Sequence, residues 1–108
     1  MKTKKVSDSE GENLRLIQYA DINLSGNLFG GKLMEWMDEI AGIVAMRHAG
    51  MVITTAAVDN LQFKQSVKLG DILVLKAKIT YVGNTSMEVR VDVYKEERET
   101  GMRYVVNR

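Results

Sequence analysis

Three acidic residues, Glu35, Asp38 and Glu39, lie within five positions of one segment. On a helix each residue advances about 100°, which places Asp38 in a row of small and apolar residues from Met34 to Ala45 and turns both glutamates to one side. Burial in such a row disfavours the charged form of a carboxyl group, so Asp38 is the acid best placed for chemistry. A solvated polar stripe fits the wheel equally well, and the two glutamates fit that alternative better, as solvent-facing or ion-paired groups.

The pair Gly30-Gly31 stands just before this acidic segment. Glycines at the start of a helix let the backbone turn sharply and leave amide N–H groups open, where negative charge is stabilised. The pair is therefore a candidate oxyanion or phosphate site. The alternative is a helix start chosen only for its turn geometry, which is the commoner use of two adjacent glycines.

The composition excludes several kinds of site. Fifteen Lys and Arg against fourteen Asp and Glu give a net charge of +1, unlike the strongly basic balance of a non-specific nucleic-acid binder. The sequence has no cysteine, which excludes a thiolate nucleophile, a disulfide and a cysteine-based metal site. A single histidine, His48, excludes a histidine-rich zinc site, so we expect no metal.

Length and hydropathy indicate one cytoplasmic domain. A chain of 108 residues is long enough for a single modest core. Acidic residues interrupt its longest apolar stretch, so we expect no membrane span, and the lysine-rich start lacks the apolar segment of a secretory signal. Residues 1–12 are predicted to form a flexible tail, and residues 13–108 a single domain.

The first half of the sequence predicts the elements that position the acids and the glycines. We expect a strand over residues 13–20, a loop over 21–31 and a long helix over 32–48. This helix is apolar nearly all round, so it needs cover on most of its circumference. Three of its methionines are predicted to fill the core: Met34, Met37 and Met46.

The second half of the sequence has the period of strands. Residues 51–63 are β-branched and mostly apolar, and two alternating stretches over 73–81 and 87–94 flank Gly83-Asn84, which predicts a hairpin. A polar turn over 95–101 leads to a further strand around Tyr104. One helix followed by antiparallel strands is an α+β arrangement, in which a curved antiparallel sheet wraps around the long central helix.

The loop and the start of the helix carry one continuous motif. It runs Asp-x-Asn-x-x-Gly-x-x-Phe-Gly-Gly from Asp21 to Gly31, with Met-Asp at Met37-Asp38. Segments at 52–58, 67–71 and 82–87 follow in a matching order. Together, over about residues 14–108, they resemble the hot-dog-fold acyl-CoA thioesterases, in the branch of the cytosolic acyl-CoA hydrolases.

The resemblance implies a fold and a reaction. The fold is a hot-dog domain, a five-stranded antiparallel sheet around one long helix, and the reaction is hydrolysis of acyl-CoA to free acid and CoA. No cofactor is implied beyond the CoA of the substrate. Asn23 and Asp38 are implied to form a catalytic pair, with Thr55 as a third member, and Gly31 to polarise the thioester carbonyl. The implied substrate-binding positions are Gly30, Gly83, Asn84, Thr85 and Ser86.

The spacing within the motif bears on assembly. The sequence does not decide whether Asp38 acts as a general base or as a nucleophile. Gly31 and Asp38 are about 10.5 Å apart along a helix axis, and one thioester carbon cannot lie within about 3 Å of both. One of the two is therefore expected from a second subunit. This predicts a site shared across a homodimer, and the resemblance implies further assembly into a hexamer.

Two other functions fit the same fold. A hydratase or dehydratase requires a histidine-centred site, and His48 lies at the far end of the helix from the motif. A non-catalytic acyl-CoA-binding module keeps the pocket but needs no acid. Asp38 together with Asn23 favours the enzyme.

The sequence departs from this family in two respects. Where relatives commonly place proline, it has Tyr19-Ala20 and Gln65-Ser66, which predicts less rigid loops. Relatives also continue past the position of Arg108 with one more complete strand, so the last strand is expected to be truncated. An inactive truncated form, of lower stability and with open sheet edges, is the corresponding alternative.

Overall fold

A computed structural model describes residues 10–49, 62–83 and 87–108. A strand, a long helix and three further strands follow one another along these ranges, with a short 3-10 turn at Tyr19–Asp21 before the helix. The elements are β1 (Gly11–Leu16), α1 (Gly30–Ala49), β2 (Ile72–Val82), β3 (Met87–Glu96) and β4 (Arg103–Asn107).

Within these ranges the four strands form one antiparallel sheet in the order β1-β2-β3-β4. The predicted hairpin is confirmed in its two strands: β2 pairs with β3 along almost its whole length, with Leu75 opposite Val93. The register shifts between Ile79 and Tyr81, and such a bulge bends the strand that carries it. The α+β class is confirmed, and β4 starts at Arg103, next to the predicted Tyr104. Residues 50–61, which include most of another predicted strand, lie outside the described residues.

The first strand differs from its predicted position. β1 begins at Gly11, so residues 11 and 12 of the expected tail belong to the sheet, where they pair with Ala77 and Lys76. The strand ends at Leu16, because Gln18 and Asp21 bond to each other and close a turn. The Asp21 amide donates to the Gln18 carbonyl at 3.0 Å, and the Gln18 amide donates to the Asp21 carboxylate at 2.9 Å. Residues 1–9 lie outside the described residues.

Helix α1 starts two residues earlier than predicted. The Leu33 amide donates to the Phe29 carbonyl at 3.2 Å, so Phe29 caps the helix and Gly30-Gly31 form its first turn rather than the end of the loop. Arg47 and His48 lie in the last turn, where positive charge interacts favourably with the helix dipole. No helix in the described ranges is long and apolar enough to cross a membrane.

The core lies between one side of α1 and the concave side of the sheet. Its helix residues recur every three or four positions, as expected for an amphipathic helix. They are Leu33, Trp36, Met37, Ile40 and Val44, and they pack with Leu73, Leu75, Ala77, Ile79, Val93 and Val106 of the strands. The prediction of a helix covered nearly all round is wrong on one side. There Met34 is 41% exposed and is no core filler, whereas Met37 is buried.

Arg15 links strand β1 to helix α1. The Arg15 guanidinium lies 4.6 Å from the centre of the Trp36 ring and contacts the Glu39 carboxylate at 3.2 Å. Glu39 is thus ion-paired and Glu35 is exposed, as predicted for both. A contact of this kind contributes at most about 1 kcal/mol when exposed, so its main effect is to fix where the helix start lies against the sheet edge.

Candidate active site

The loop before α1 is organised around the side chain of Asn23. Its Oδ1 accepts hydrogen bonds from the Ser25 amide at 3.0 Å, the Ser25 hydroxyl at 2.7 Å and the Asn27 amide at 3.1 Å. Gly26 completes the turn with a φ of +83°, a conformation that glycine adopts without strain. Because the side-chain oxygen is occupied by the loop, the Asn23 amide NH2 group is the part free to act outwards. No described residue accepts a hydrogen bond from it.

The same loop is tied to the start of the helix. The Phe29 amide donates to the Asp21 carbonyl at 2.9 Å, and the Leu28 amide to the Val67 carbonyl at 2.7 Å. Leu28 is buried and anchors the loop in the core. Asn23 and Gly31 therefore lie at the same end of α1 within one chain.

Gly31 leaves open space beside the first turn of α1. A Cβ built on Gly31 would meet no atom within 4 Å, and the residue is exposed. Among the described residues no acceptor takes the Gly31 amide N–H, as expected for the first turn of a helix. Its φ is not among the positive values found at Gly26, Gly70 and Gly101. The backbone therefore does not need glycine there, and the alternative of turn geometry alone loses its support at this position.

Asp38 lies two turns further along the helix, on nearly the same line. Seven residues advance about 700°, so Gly31 and Asp38 point within about 20° of each other. Asp38 is exposed, and its carboxylate contacts no partner in the described part of the chain. The expected burial of Asp38 is therefore wrong for the single chain, which matches the alternative of an exposed polar stripe formed by Glu35, Asp38 and Glu39. The row is open from Gly31 to Asp38, whereas Ala41 and Ala45 further along the same side of the helix are buried.

The remaining predicted positions divide between described and undescribed residues. Gly30 is half-buried in the first turn of α1, and Gly83 is half-buried directly after β2. Thr55 and the residues 84–86 lie outside the described residues. The structure thus brings Asn23, Gly30 and Gly31 to one end of the helix and places Asp38 about 10.5 Å further along its axis.

A cleft of about 340 Å³, which the sequence did not predict, lies beside the start of α1. Arg15 and Lys32 supply two cationic groups to it, and Asp21 one carboxylate. Its lining residues come from β1, the turn that follows it and the helix, so no local sequence motif predicts the cleft. The lining residues are Arg15, Leu16, Gln18, Asp21, Lys32 and Trp36.

In the described ranges, no three His, Asp or Glu side chains converge on a point where they could hold a metal ion.

Comparison with known proteins identifies relatives. A family model described as thioesterase superfamily matches residues 25–102. An uncharacterised acyl-CoA thioester hydrolase of Bacillus subtilis is 43% identical over 83 residues, which are 77% of this chain and 48% of that protein. The human cytosolic acyl coenzyme A thioester hydrolase is 38% identical over 86 residues, 80% of this chain and 23% of that protein. The chain spans about half or less of the length of these relatives.

Solved structures agree with this match. A hexameric acyl-CoA thioesterase in its apo form is 39% identical with a TM-score of 0.88, and the match covers 98% of this chain and 68% of that one. The acyl-CoA hydrolase of Staphylococcus aureus, in complex with butyryl coenzyme A, coenzyme A and coenzyme A disulfide, is 36% identical with a TM-score of 0.91, over 97% and 64% of the two chains. Further structures of that hydrolase carry alanine in place of an aspartate, an asparagine or a threonine. With its long helix packed against a curved antiparallel sheet, this chain belongs to the thioesterase superfamily and has the hot-dog fold.

Proposed function

We propose that this protein hydrolyses the thioester bond of acyl-CoA and releases a free carboxylic acid and CoA. The observation that carries the proposal is the open row on α1, where the amide of Gly31 and the carboxylate of Asp38 both face outwards without partners among the described residues. A hydrogen-bond donor for a carbonyl oxygen and a carboxylate that can act on water or on carbon are the two groups that thioester hydrolysis needs.

Gly31 supplies the donor for the oxyanion. As the thioester carbonyl is attacked, its oxygen gains negative charge, and an amide N–H at a helix N-terminus stabilises that charge. The space beside Gly31 admits a substrate atom where a methyl group would otherwise stand. Gly30, in the same turn, keeps the backbone at this position free of side chains.

Asn23 acts through its amide NH2 group. Because the loop occupies its oxygen with three donors, the side chain can donate to the substrate carbonyl or to the oxygen of the attacking water. The same three bonds fix the direction of the NH2 group, so its position costs little further ordering when substrate arrives.

Asp38 can act in either of two ways. As general base it takes a proton from water while the water oxygen bonds to the carbonyl carbon and the thiolate of CoA leaves. As nucleophile it forms an anhydride with the acyl group as the thiolate leaves, and water then cleaves the anhydride. A thiol has a pKa of about 8.5, so the leaving group needs little help from an acid in either route.

The variants of the Staphylococcus aureus hydrolase support this choice of residues. The asparagine, aspartate and threonine that alanine replaces in its structures are spaced by 15 and 17 residues. Asn23, Asp38 and Thr55 have the same spacing here. We include Thr55 in the proposed site as a group that hydrogen-bonds the water or the Asp38 carboxylate. Asn84, Thr85 and Ser86, after Gly83, are proposed to contact CoA.

The proposed site is shared between two copies of the chain. Asn23 and Gly31 lie at one end of α1, and Asp38 lies too far along the same helix to reach the same carbonyl carbon. A second copy that presents its own Asp38 to Gly31 completes the site. A homodimer is therefore the smallest active form, and the hexameric thioesterase among the structural relatives supports further assembly to a hexamer.

The setting of the reaction is proposed to be the cytoplasm. A sequence without cysteine suits a reducing compartment, and the human relative is named as a cytosolic enzyme. The reaction needs no cofactor apart from the CoA carried by the substrate. Its partners are the acyl-CoA and further copies of this chain.

The test is release of free CoA, followed with a thiol reagent over acyl-CoA substrates from two to sixteen carbons. We expect turnover by the unaltered chain and a loss of about 100-fold or more in kcat/KM for Asp38→Ala and Asp38→Asn, because each removes the base or nucleophile. Glu35→Gln is the matched control on the same helix, since Glu35 is exposed and makes no ion pair with any described residue. Equal rates for the Asp38 variants and the unaltered chain would exclude Asp38 from the chemistry. Binding of acyl-CoA without turnover would favour the non-catalytic module.

A further inference from the structure

The Ser25 hydroxyl makes the shortest of the three hydrogen bonds to Asn23 Oδ1. It donates at 2.7 Å, whereas the backbone amides of Ser25 and Asn27 donate to the same oxygen at 3.0 and 3.1 Å. Both amide bonds remain possible if the hydroxyl is removed. The hydroxyl therefore adds a third donor to an oxygen that the backbone already holds in place.

A second side chain sets the direction of the Ser25 hydroxyl. A hydroxyl proton turns about the bond that carries it, so its direction depends on its neighbours. The Asn27 NH2 group donates to Ser25 Oγ at 3.5 Å. Because Ser25 Oγ accepts from Asn27, its own proton is left for Asn23 Oδ1. The three side chains form a relay of hydrogen bonds that runs from Asn27 through Ser25 to Asn23.

The orientation of the Asn27 side chain leaves one of its polar atoms unpaired. Asn27 Oδ1 is buried and has no hydrogen-bond partner in the described part of the chain. Such an atom lowers stability and calls for an explanation. If the amide were turned over, this oxygen could take the Ser25 proton, which would then no longer point to Asn23. The observed orientation thus keeps the relay directed at Asn23.

We propose that Ser25 is a positioning residue that strengthens the Asn23 NH2 group as a hydrogen-bond donor. Hydrogen bonds to an amide oxygen draw electron density from its nitrogen, and chains of hydrogen bonds polarise one another. The Asn23 NH2 group then interacts more strongly with the negative charge that develops on the thioester oxygen. The inference rests on the proposed function, since it takes Asn23 as a donor to the thioester carbonyl.

The expected size of the effect follows from two general figures. Each bond in a relay is strengthened by about 10–30%, and removal of a complete oxyanion donor lowers kcat about 100- to 1000-fold. Weakening the Asn23 donor by that fraction should therefore lower kcat about 2- to 8-fold. KM should not change, because the added interaction arises only as charge develops in the transition state.

The experiment compares Ser25→Ala with Ser25→Thr, which keeps a hydroxyl at the same position. Ser66→Ala is the matched control, since Ser66 is also exposed in a loop and takes part in the described hydrogen bonds only through its carbonyl. Release of CoA gives kcat and KM for each chain, and thermal unfolding gives the melting temperature.

Nuclear magnetic resonance reports on the Asn23 NH2 group directly. The sequence has six asparagines, so selective ¹⁵N labelling of asparagine gives few side-chain signals. The NH2 signal that is missing from Asn23→Asp belongs to Asn23. In Ser25→Ala this signal should move upfield, because less electron density is drawn from its protons.

We expect Ser25→Ala to lose about 2- to 8-fold in kcat, with KM and the melting temperature close to those of the unaltered chain. Ser25→Thr and Ser66→Ala should match the unaltered chain in kcat and in the Asn23 signal. A role of Ser25 in loop structure alone would instead lower the melting temperature or raise KM, and that result would overturn the inference.

Two further outcomes would also overturn the inference and leave the proposed function standing. One is an unchanged Asn23 signal or an unchanged kcat in Ser25→Ala while Asn23→Asp is impaired. The other is an equal loss of kcat in Ser25→Thr, which keeps the hydroxyl. If the unaltered chain turns over no acyl-CoA, the proposed function fails, and the shift of the Asn23 signal still decides whether Ser25 polarises this amide.

Discussion

The two polar atoms of the Asn23 side chain have different roles: the oxygen stabilises the loop, and the nitrogen is proposed to take part in the reaction. The oxygen holds the loop through three hydrogen bonds, and the nitrogen faces away from them. Asn23→Asp keeps an oxygen that can accept the same bonds but has no NH2 group to donate. We expect this variant to stay folded with a melting temperature near that of the unaltered chain and to lose about 100-fold or more in kcat/KM, the range found when an oxyanion donor is removed.

Asn23→Ala separates the two roles further. It removes the oxygen as well, so we expect a similar loss of activity together with a lower melting temperature, since two backbone amides lose their acceptor. Thermal unfolding followed by circular dichroism, beside the CoA-release assay, distinguishes the variants. Full activity in Asn23→Asp would show that Asn23 serves only the loop.

Within helix α1, the glycine in the first turn is expected to lower the stability of the helix and to be needed for activity. Alanine fits the helical backbone at position 31, and a Cβ there meets no atom within 4 Å. Gly31→Ala should therefore leave the melting temperature unchanged or raise it, because glycine is the poorer helix former by up to about 1 kcal/mol. The added methyl group occupies the space proposed for the thioester carbonyl, so kcat/KM should fall about 10-fold or more.

Two controls accompany the Gly31 variant. Gly31→Ala has to show the same oligomeric state as the unaltered chain in analytical ultracentrifugation, so that the loss is assigned to the site rather than to assembly. Ala45→Gly tests the helix itself, since it lowers helix stability without touching the proposed donor. If Gly31→Ala retains full kcat/KM, the carbonyl does not approach this turn.

The elements show what a local pattern can predict and what it cannot. The period-two stretches predicted β2 and β3, and the pattern placed Asn23 in the loop and Asp38 on the helix, because each of these signals is local. Gly31 was expected at the end of the loop and lies in the first turn of α1. The end of β1 was missed because it depends on mutual bonds between Gln18 and Asp21.

The sequence did not predict which side chains are exposed or which distant residues are in contact. The apolar wheel of α1 does not say which side the sheet covers, so it could not decide between a buried Asp38 and an exposed polar stripe, and it did not predict the exposure of Met34. Arg15 lies 24 positions from Glu39, and no local sequence pattern predicts their contact. The predicted roles of Thr55 and of residues 84–86 stay predictions.

For the whole molecule, the shared site predicts rescue between two inactive chains. In a mixed dimer of Asn23→Ala and Asp38→Ala, one site carries both changes and the other carries neither. An equal mixture after subunit exchange should therefore regain about one quarter of the activity of the unaltered protein, since half of the dimers are mixed and each has one intact site. The measurement is CoA release against the time of mixing.

Exchange itself needs a separate readout in this experiment. Chains labelled with two fluorophores show by energy transfer when mixed dimers have formed. Activity that stays at the level of the single variants after exchange would show that each chain builds its site alone. The mixture of Asp38→Ala with Gly31→Ala serves as a second test, because Gly31 lies at the same end of the helix as Asn23.

Trp36, buried under the guanidinium of Arg15, is the single tryptophan of the sequence. Intrinsic emission excited at the red edge of protein absorption therefore originates from one place, the seam between β1 and the start of α1. Trp36 also lines the cleft that Lys32 lines, and it lies about one and a half turns from Gly31. The fluorescence of Trp36 therefore depends on the polarity around this one indole. It should change when the first strand docks on the helix and when a ligand binds near the helix start, so no added label is needed.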